Sequence, residues 1–345
     1  MKVAHVLQSS DGGGAAYVRA LVRGLAGRGV ESRIVAFDGA GAIERVAGPE
    51  WRRAASLARL AREVDLVHVH GTRAAASALP ALVRGRSVVT LHGLHPLRRQ
   101  RGPLYHAAGW ALVAAVVAAA DAVVCVSHGD AATLALLPVG RGKRHVIRNA
   151  VAPPEPLSPE QRERVRAELG LEPGELAVVY VGRLHDSKDP LLAVSAVRGA
   201  PGMRLLVAGD GPLRADVERH AAGWPNVSLL GWRGDVTRLV AAADVMLNTS
   251  RWEGLPLSVL EAMWLERPVV AARVSGNDEV LQLPELLVAS RRPEAFRAAL
   301  ERLRDPAERA RVAAVQRARV EREFRLDELL DRMEALYRRL AGSGA

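Results

Sequence analysis

Short apolar runs ending in glycine, histidine or a polar residue alternate with stretches of helical periodicity along nearly the whole chain. This alternation constrains the fold more than any other feature. Strand, helix and strand in regular succession form parallel sheets covered by helices on both faces. The first half reads as strand Lys2–Gln8, a glycine-rich loop and a helix over 15–27, then strands at 33–37, 65–71, 87–93, 121–127 and 144–147. Residues 152–159 contain four prolines in eight positions, the composition of a linker. After them the alternation restarts, with strands at 176–181, 204–208, 227–230, 244–247 and 268–272 separated by helical segments. The expectation is an α/β protein with two doubly wound parallel sheets facing a cleft. The first domain covers 1–151, the linker 152–157 and the second domain 158–325, with a last helix at about 326–341 packing back on the first domain.

A chain of 345 residues is long enough for two such domains with full cores. Its one cysteine, Cys125, lies in the apolar run Ala-Val-Val-Cys-Val, which excludes an internal disulfide and predicts a packed thiol. The run 107–120 is apolar and alanine-rich but too short to span a bilayer, so a buried helix is expected. Met1 leads straight into a strand with no secretory signal pattern, which suggests a cytoplasmic location. Residues 1–150 carry 20 Lys+Arg against 9 Asp+Glu, a net +11, whereas the remainder carries 28 against 29, a net −1. A basic first half suits an anionic partner or an anionic membrane surface on the inner face of the plasma membrane, and equally a solvated arginine-rich surface. His95–Arg101, with Arg98, Arg99 and Arg101, reads as a basic loop. Only three lysines occur, Lys2, Lys143 and Lys188, against 45 arginines, which singles out Lys188.

Candidate site residues cluster at strand ends, where open α/β sheets bind ligands. In the first half these are the Gly12-Gly13-Gly14 loop, His70 and His92. Glycines there admit close approach of a phosphate or sugar, though a plain tight turn reads the same way. In the second half, Gly182-Arg183 ends a strand and Lys188 follows five residues later; a forked guanidinium and a compact ammonium together suit phosphate oxygens. Gly209-Asp-Gly211-Pro212 and Gly231-Trp-Arg233-Gly-Asp end the next two strands. The Trp232–Arg233 turn suits the edge or face of a nucleobase, although a packed tryptophan is the commoner use. The Arg273–Glu279 stretch reads as a further loop in which Ser275 and Gly276 line the site. Asn248–Met263 then joins a strand to a helix. It holds Glu253 in the loop, Gly254-Leu255-Pro256-Leu257-Ser258 at the helix start and Glu261 within the helix. Backbone N–H groups near Leu257 and Ser258 suit an anion.

In this order and spacing, Gly182-Arg183 with Lys188, Gly209-Asp-Gly-Pro212 and Glu253-Gly-Leu-Pro-Leu-Ser-Val-Leu-Glu261-Ala-Met resemble the family-four glycosyltransferases of the GT-B fold. These are retaining enzymes built from two Rossmann-like domains. The resemblance runs from Gly12 to Glu279, and the last element is that family's pair of glutamates with seven residues between them. It implies that Arg183 and Lys188 hold the donor diphosphate and stabilise the leaving group. Glu253 would meet the sugar hydroxyls beside the anomeric carbon, and Glu261 the ribose. Gly13 and Gly14 would approach the phosphate or sugar. His92, in Thr90-Leu-His-Gly93, would lie near donor sugar and acceptor. Gly182, Gly211, Arg233 and the 254–258 turn would complete the donor site. Two departures stand out: Glu266-Arg267 where a glycine usually precedes the proline, and Ser275 where a glycine pair is common.

The implied activity is transfer, with retention, from a UDP- or GDP-sugar to a glycan or lipid-linked acceptor in polysaccharide or glycoconjugate assembly. No Asp-x-Asp pair stands at a strand end, so no metal and no cofactor are expected, and nothing points to nucleic acid. Two other readings are a nucleotide-sugar epimerase on two similar domains and a non-catalytic sugar-binding subunit.

Overall fold

The computed structural model describes residues 1–38, 44–94, 97 and 102–342. The expected arginine loop, with Arg98, Arg99 and Arg101, lies outside the described residues. The chain divides into two compact units, Met1–Ala150 with Leu326–Ala345, and Val151–Arg325. Among the described residues, no helix is long and apolar enough to cross a membrane.

The first unit is a seven-stranded sheet in the order β3-β2-β1-β4-β5-β6-β7. Its strands are β1 Lys2–Ser9, β2 Glu31–Asp38, β3 Glu44–Arg45, β4 Leu66–His70, β5 Ser87–Leu91, β6 Ala122–Cys125 and β7 Arg144–Val146. Every pairing is parallel. Strands buried on both faces read as unbroken apolar runs, and β5 and β6 are buried at every position. Cys125 lies in β6, where burial pushes its thiol up to about 12. One face of the sheet carries Ala4, Val6, Val67, Val69, Val89 and Leu91 into an apolar core with the Pro103–Ala119 helix. The other face carries His5, His68 and His70 beneath the Gly13–Ala26 and Leu326–Gly342 helices. The Leu326–Gly342 helix docks through Tyr337 against His68 and through an Arg28–Asp331 ion pair.

The second unit is a six-stranded, all-parallel sheet in the order β10-β9-β8-β11-β12-β13. Its strands are β8 Leu176–Val181, β9 Met203–Ala208, β10 Val227–Gly231, β11 Val245–Asn248, β12 Val269–Ala272 and β13 Leu287–Val288. Ser158 caps the Pro159–Glu168 helix with a reciprocal Gln161 bond, the capping box its sequence allows. The strand order reverses once in each sheet, between β1 and β4 and between β8 and β11. Chain crossing over to opposite faces leaves an opening at the carboxyl ends of those two strands.

One expectation fails here. Residues 273–279 are not a loop, because Ser275 opens a helix, Ser275–Leu281. Gly276 packs against the 253–254 backbone instead of turning the chain: a Cβ there would sit 2.4 Å from the Gly254 carbonyl oxygen.

Candidate functional site

In the second unit the turns that follow β8, β9, β10 and β11 are bonded side by side. Gly182 N–H donates to Ala208 O at 3.1 Å, Gly209 N–H to Gly231 O at 2.8 Å, and Arg251 N–H to Ser187 O at 2.8 Å. Gly209 is at φ 153°, and a Cβ would lie 1.9 Å from the Gly182 carbonyl oxygen. Gly211 is in the same position against the Leu184 carbonyl, at 2.5 Å. These glycines let two strand-end turns touch backbone to backbone.

Glu253 sits at the β8/β11 reversal and is 6% exposed. Lys188 Nζ donates to both of its oxygens, at 2.6 and 2.7 Å. Ser250 Oγ donates to Oε1 at 2.6 Å and Asn248 Nδ2 at 3.3 Å. Burial alone would raise this carboxyl, but the Lys188 ammonium and the hydrogen bonds outweigh it and hold the group below the ordinary range. A second layer fixes these donors. Asn248 Oδ1 accepts from Ser250 N and from Asn277 Nδ2, and Asn277 Nδ2 also donates to Ala272 O. Thr249 Oγ1 donates to the Lys188 and Asp189 carbonyls. Asp189 lies at φ 46° and accepts Arg251 at 2.9 Å and Arg291 at 2.5 Å.

The sequence candidates thus fall into three conditions. Arg183 is exposed beside Gly182, with no ion pair to a described residue. Lys188 and Glu253 are already bonded to one another, an engagement that separate roles for them did not anticipate. Arg233 is also committed, to both oxygens of Asp235 at 2.8 and 2.7 Å. Trp232 next to it is 70% exposed and so is not a packed tryptophan. Gly254 and Leu255-Pro256 lead into the Leu257–Trp264 helix, where Pro256 takes the cap position and no side chain caps the first turn. Leu257 and Ser258 are partly buried. Glu261, one turn further on, meets no described cation, and burial pushes its carboxyl up to about 7.

In the first unit, Gly12 takes φ 83° before the Gly13–Ala26 helix. A Cβ on Gly13 or Gly14 would meet nothing within 4 Å, so packing within the unit does not require glycine there. His92 follows β5 and stacks beside His70, with ring centroids 5.5 Å apart. His5 and His68 escaped the sequence reading. Their signal was the alternation His68-Val-His70 with a histidine at the centre of β1, and only the β1/β4 register, which sets His5 opposite His68, joins the two. Asn248, Ser250 and Asn277 were missed because their partners are set by the fold.

Residues 11–153 match the model of Glycosyltransferase Family 4, and residues 175–305 that of Glycosyl transferases group 1. The chain belongs to this family of GT-B-fold glycosyltransferases. Among curated relatives, the UDP-Gal:alpha-D-GlcNAc-diphosphoundecaprenol alpha-1,3-galactosyltransferase of Escherichia coli is 32% identical over 120 residues, covering 32% of this chain and 31% of that protein. The GDP-mannose-dependent alpha-(1-6)-phosphatidylinositol dimannoside mannosyltransferase of Mycobacterium tuberculosis (strain ATCC 25177 / H37Ra) is 32% identical over 152 residues, covering 42% and 40%. The matches therefore span less than half the length of these relatives. Among solved structures, Anabaena Alr3699/HepE in complex with UDP-glucose superposes with a TM-score of 0.86 at 19% identity, over 97% of this chain and 99% of that one. That likeness establishes the two-domain, parallel-sheet fold.

Proposed function

We propose that the chain transfers a sugar, with retention of configuration, from a UDP- or GDP-sugar to a glycan or lipid-linked acceptor. The observation that carries this reading is the pairing of part-buried Lys188 with buried Glu253 at the β8/β11 reversal, with the exposed Arg183 on the adjoining turn. A nucleoside diphosphate brings negative charge beside Arg183 and competes with Glu253 for the Lys188 ammonium. As Lys188 turns to the phosphates, Glu253 exchanges an ammonium for sugar hydroxyl donors and keeps Ser250 and Asn248. Charge leaving with the diphosphate is then met by Arg183, Lys188 and the backbone N–H groups opening the Leu257–Trp264 helix. This scheme needs no metal and assigns no covalent nucleophile. Glu261 accepts the ribose hydroxyls, and His92 serves donor sugar and acceptor. The names of the two relatives support UDP- and GDP-sugars as donors and a lipid-linked acceptor.

The test is a panel of UDP- and GDP-sugars, read first by thermal stabilisation. A donor at 100 times its Kd adds about 2.7 kcal/mol. The bound donor is then incubated with glycan and lipid-diphosphate acceptors, and free nucleoside diphosphate must appear only when acceptor is present. A changed sugar still attached to its nucleotide would mean isomerisation, and binding with no turnover would mean a non-catalytic subunit. NMR of the anomeric centre of the product decides retention.

A further inference from the structure

Four imidazoles lie together in the first unit, three of them fully inside it. His5, on β1, and His68 and His70, on β4, are at most 4% exposed. His92, partly buried, follows β5. An apolar sheet face seldom spends three positions on histidine, and imidazoles tolerate such burial only when their nitrogens are bonded. Here the bonds make a row. Ser32 Oγ lies 3.4 Å from His5 Nε2, His5 Nδ1 lies 3.2 Å from His70 Nε2, and His70 Nδ1 lies 3.3 Å from His92 Nε2. His68 stands beside the row with both nitrogens used, Nδ1 against the Tyr337 hydroxyl and Nε2 against Thr90 Oγ1 at 2.7 Å. His5, His68 and His70 also bring one nitrogen each within 4.8 Å of one another. A tetrahedral metal needs these about 3.4 Å apart and would have to strip His68 of Tyr337 or Thr90, so the trio is better explained by hydrogen bonding.

Burial keeps these rings uncharged, lowering His5 to about 3 and His68 and His70 well below the ordinary value, with the neighbouring imidazoles adding to the effect. Tyr17, on the Gly13–Ala26 helix, and Tyr337 also pack their rings on the row. No described carboxylate or guanidinium acts on His5, His68 or His70.

A neutral imidazole has one N–H and one lone pair. Because every link in the row joins an Nδ1 to an Nε2, the three rings cannot choose independently. Either His92 Nε2–H donates to His70 Nδ1, His70 Nε2–H to His5 Nδ1 and His5 Nε2–H to Ser32. Or Ser32 donates to His5 Nε2, and each ring in turn donates from Nδ1, leaving the His92 proton on Nδ1. We propose that His5 and His70 are positioning residues that tie the tautomer of the His92 imidazole to their own, so that the three neutral rings carry their protons on the same-named nitrogen at any moment. This rests on the proposed role of His92 beside donor and acceptor. A base or hydrogen-bond donor there is useful only with its proton on the right nitrogen, and the row makes that choice a joint one with His70 and His5.

The test uses the full chain labelled with 15N-histidine and long-range proton–nitrogen correlation spectra, which distinguish Nδ1–H, Nε2–H and imidazolium. The expected result at pH 8 is the same ratio of Nδ1–H to Nε2–H for His5, His70 and His92. A ratio at one ring that differs from the other two overturns the proposal. His70→Gln retains a donor and an acceptor and keeps the His5 and His92 ratios equal, whereas His70→Phe interrupts the row and lets them diverge. Equal and unchanged ratios at His5 and His92 in a folded His70→Phe protein also overturn it. These spectra need no substrate, so they stand apart from the glycosyltransferase reading. If that reading is right, His70→Phe lowers kcat at least tenfold with donor KM unchanged, and His70→Gln recovers most of the loss.

Discussion

Replacing Glu261 with glutamine should make the protein more stable in alkaline solution and no different in acid. Burial in the Leu257–Trp264 helix raises this carboxyl from its ordinary 4.5 to about 7. The folded chain therefore holds the proton more tightly than the unfolded chain, and stability falls as pH rises from 4.5 through 7. At about 1.4 kcal/mol per tenfold change in proton affinity, the ionised form costs about 3 kcal/mol. This is a ceiling, because the side chain keeps part of its surface in water. Urea unfolding followed by tryptophan fluorescence, run on both proteins from pH 4.5 to 8.5, gives a difference curve from which the other titrations cancel. The curve should rise from near zero to about 2–3 kcal/mol in favour of Glu261→Gln. Ribose hydroxyls donating to the carboxylate would favour its ionised form, so UDP or GDP binding at pH 6.5 should release more proton from the wild type than from the variant, in which only the terminal phosphate, with a pKa of about 6, contributes, as calorimetry in buffers of different ionisation enthalpy would show. A flat difference curve refutes the buried carboxyl. A sloping curve with equal proton release from the two proteins refutes its contact with ribose.

Lys188→Ala should cost about 2–4 kcal/mol of stability by leaving Glu253 buried without its cation, and adding Glu253→Gln should recover part of that in a denaturation series. The Glu253 carboxyl lies below its ordinary value, so the pair's contribution is present above pH 4.5 and lost as pH falls through the lowered value. Arg183→Ala should leave the melting curve unchanged, since exposed side chains of this kind contribute within about 0.5 kcal/mol, yet weaken nucleoside diphosphate binding; equal binding would remove Arg183 from the site. Gly209→Ala should destabilise by at least about 2 kcal/mol because its Cβ meets the Gly182 carbonyl, whereas Gly13→Ala and Gly14→Ala should fold normally, so that any loss of turnover in them reports ligand contact. Co-sedimentation with anionic vesicles at low salt tests the basic first half, and a chain that stays in the supernatant refutes membrane binding through it.

Most strands were legible because each is a run of largely apolar residues, and Leu176–Val181 needed no context beyond that pattern; the two-residue strands Glu44–Arg45 and Leu287–Val288 are too short to carry such a run and were missed. The strand-end placement of Arg183, Lys188 and Glu253 followed from the same alternation. What the sequence hid was pairing. Lys188 and Glu253 are 65 residues apart, and nothing local says that an ammonium and a carboxylate read as serving one ligand are bonded to each other. Arg233 offered a cation for a nucleotide, but Asp235 two positions away takes both of its forks. Gly276 looked like a turn because glycine serves turns and close packing alike, and only the position of the Gly254 carbonyl separates the two uses. The histidine row needed the β1/β4 register, which no single strand carries.

The Leu326–Gly342 helix belongs to the first unit although the whole second unit precedes it in the chain. Gly24 leaves room for Leu330, where a Cβ would lie 2.4 Å from a Leu330 methyl, and Tyr337 closes over His68. During synthesis the second unit therefore has all of its residues before the first does. That unit can fold on the ribosome while the histidine face of the other still awaits its cover. A stop codon near residue 325 would spare the later-encoded domain and expose the core of the earlier one.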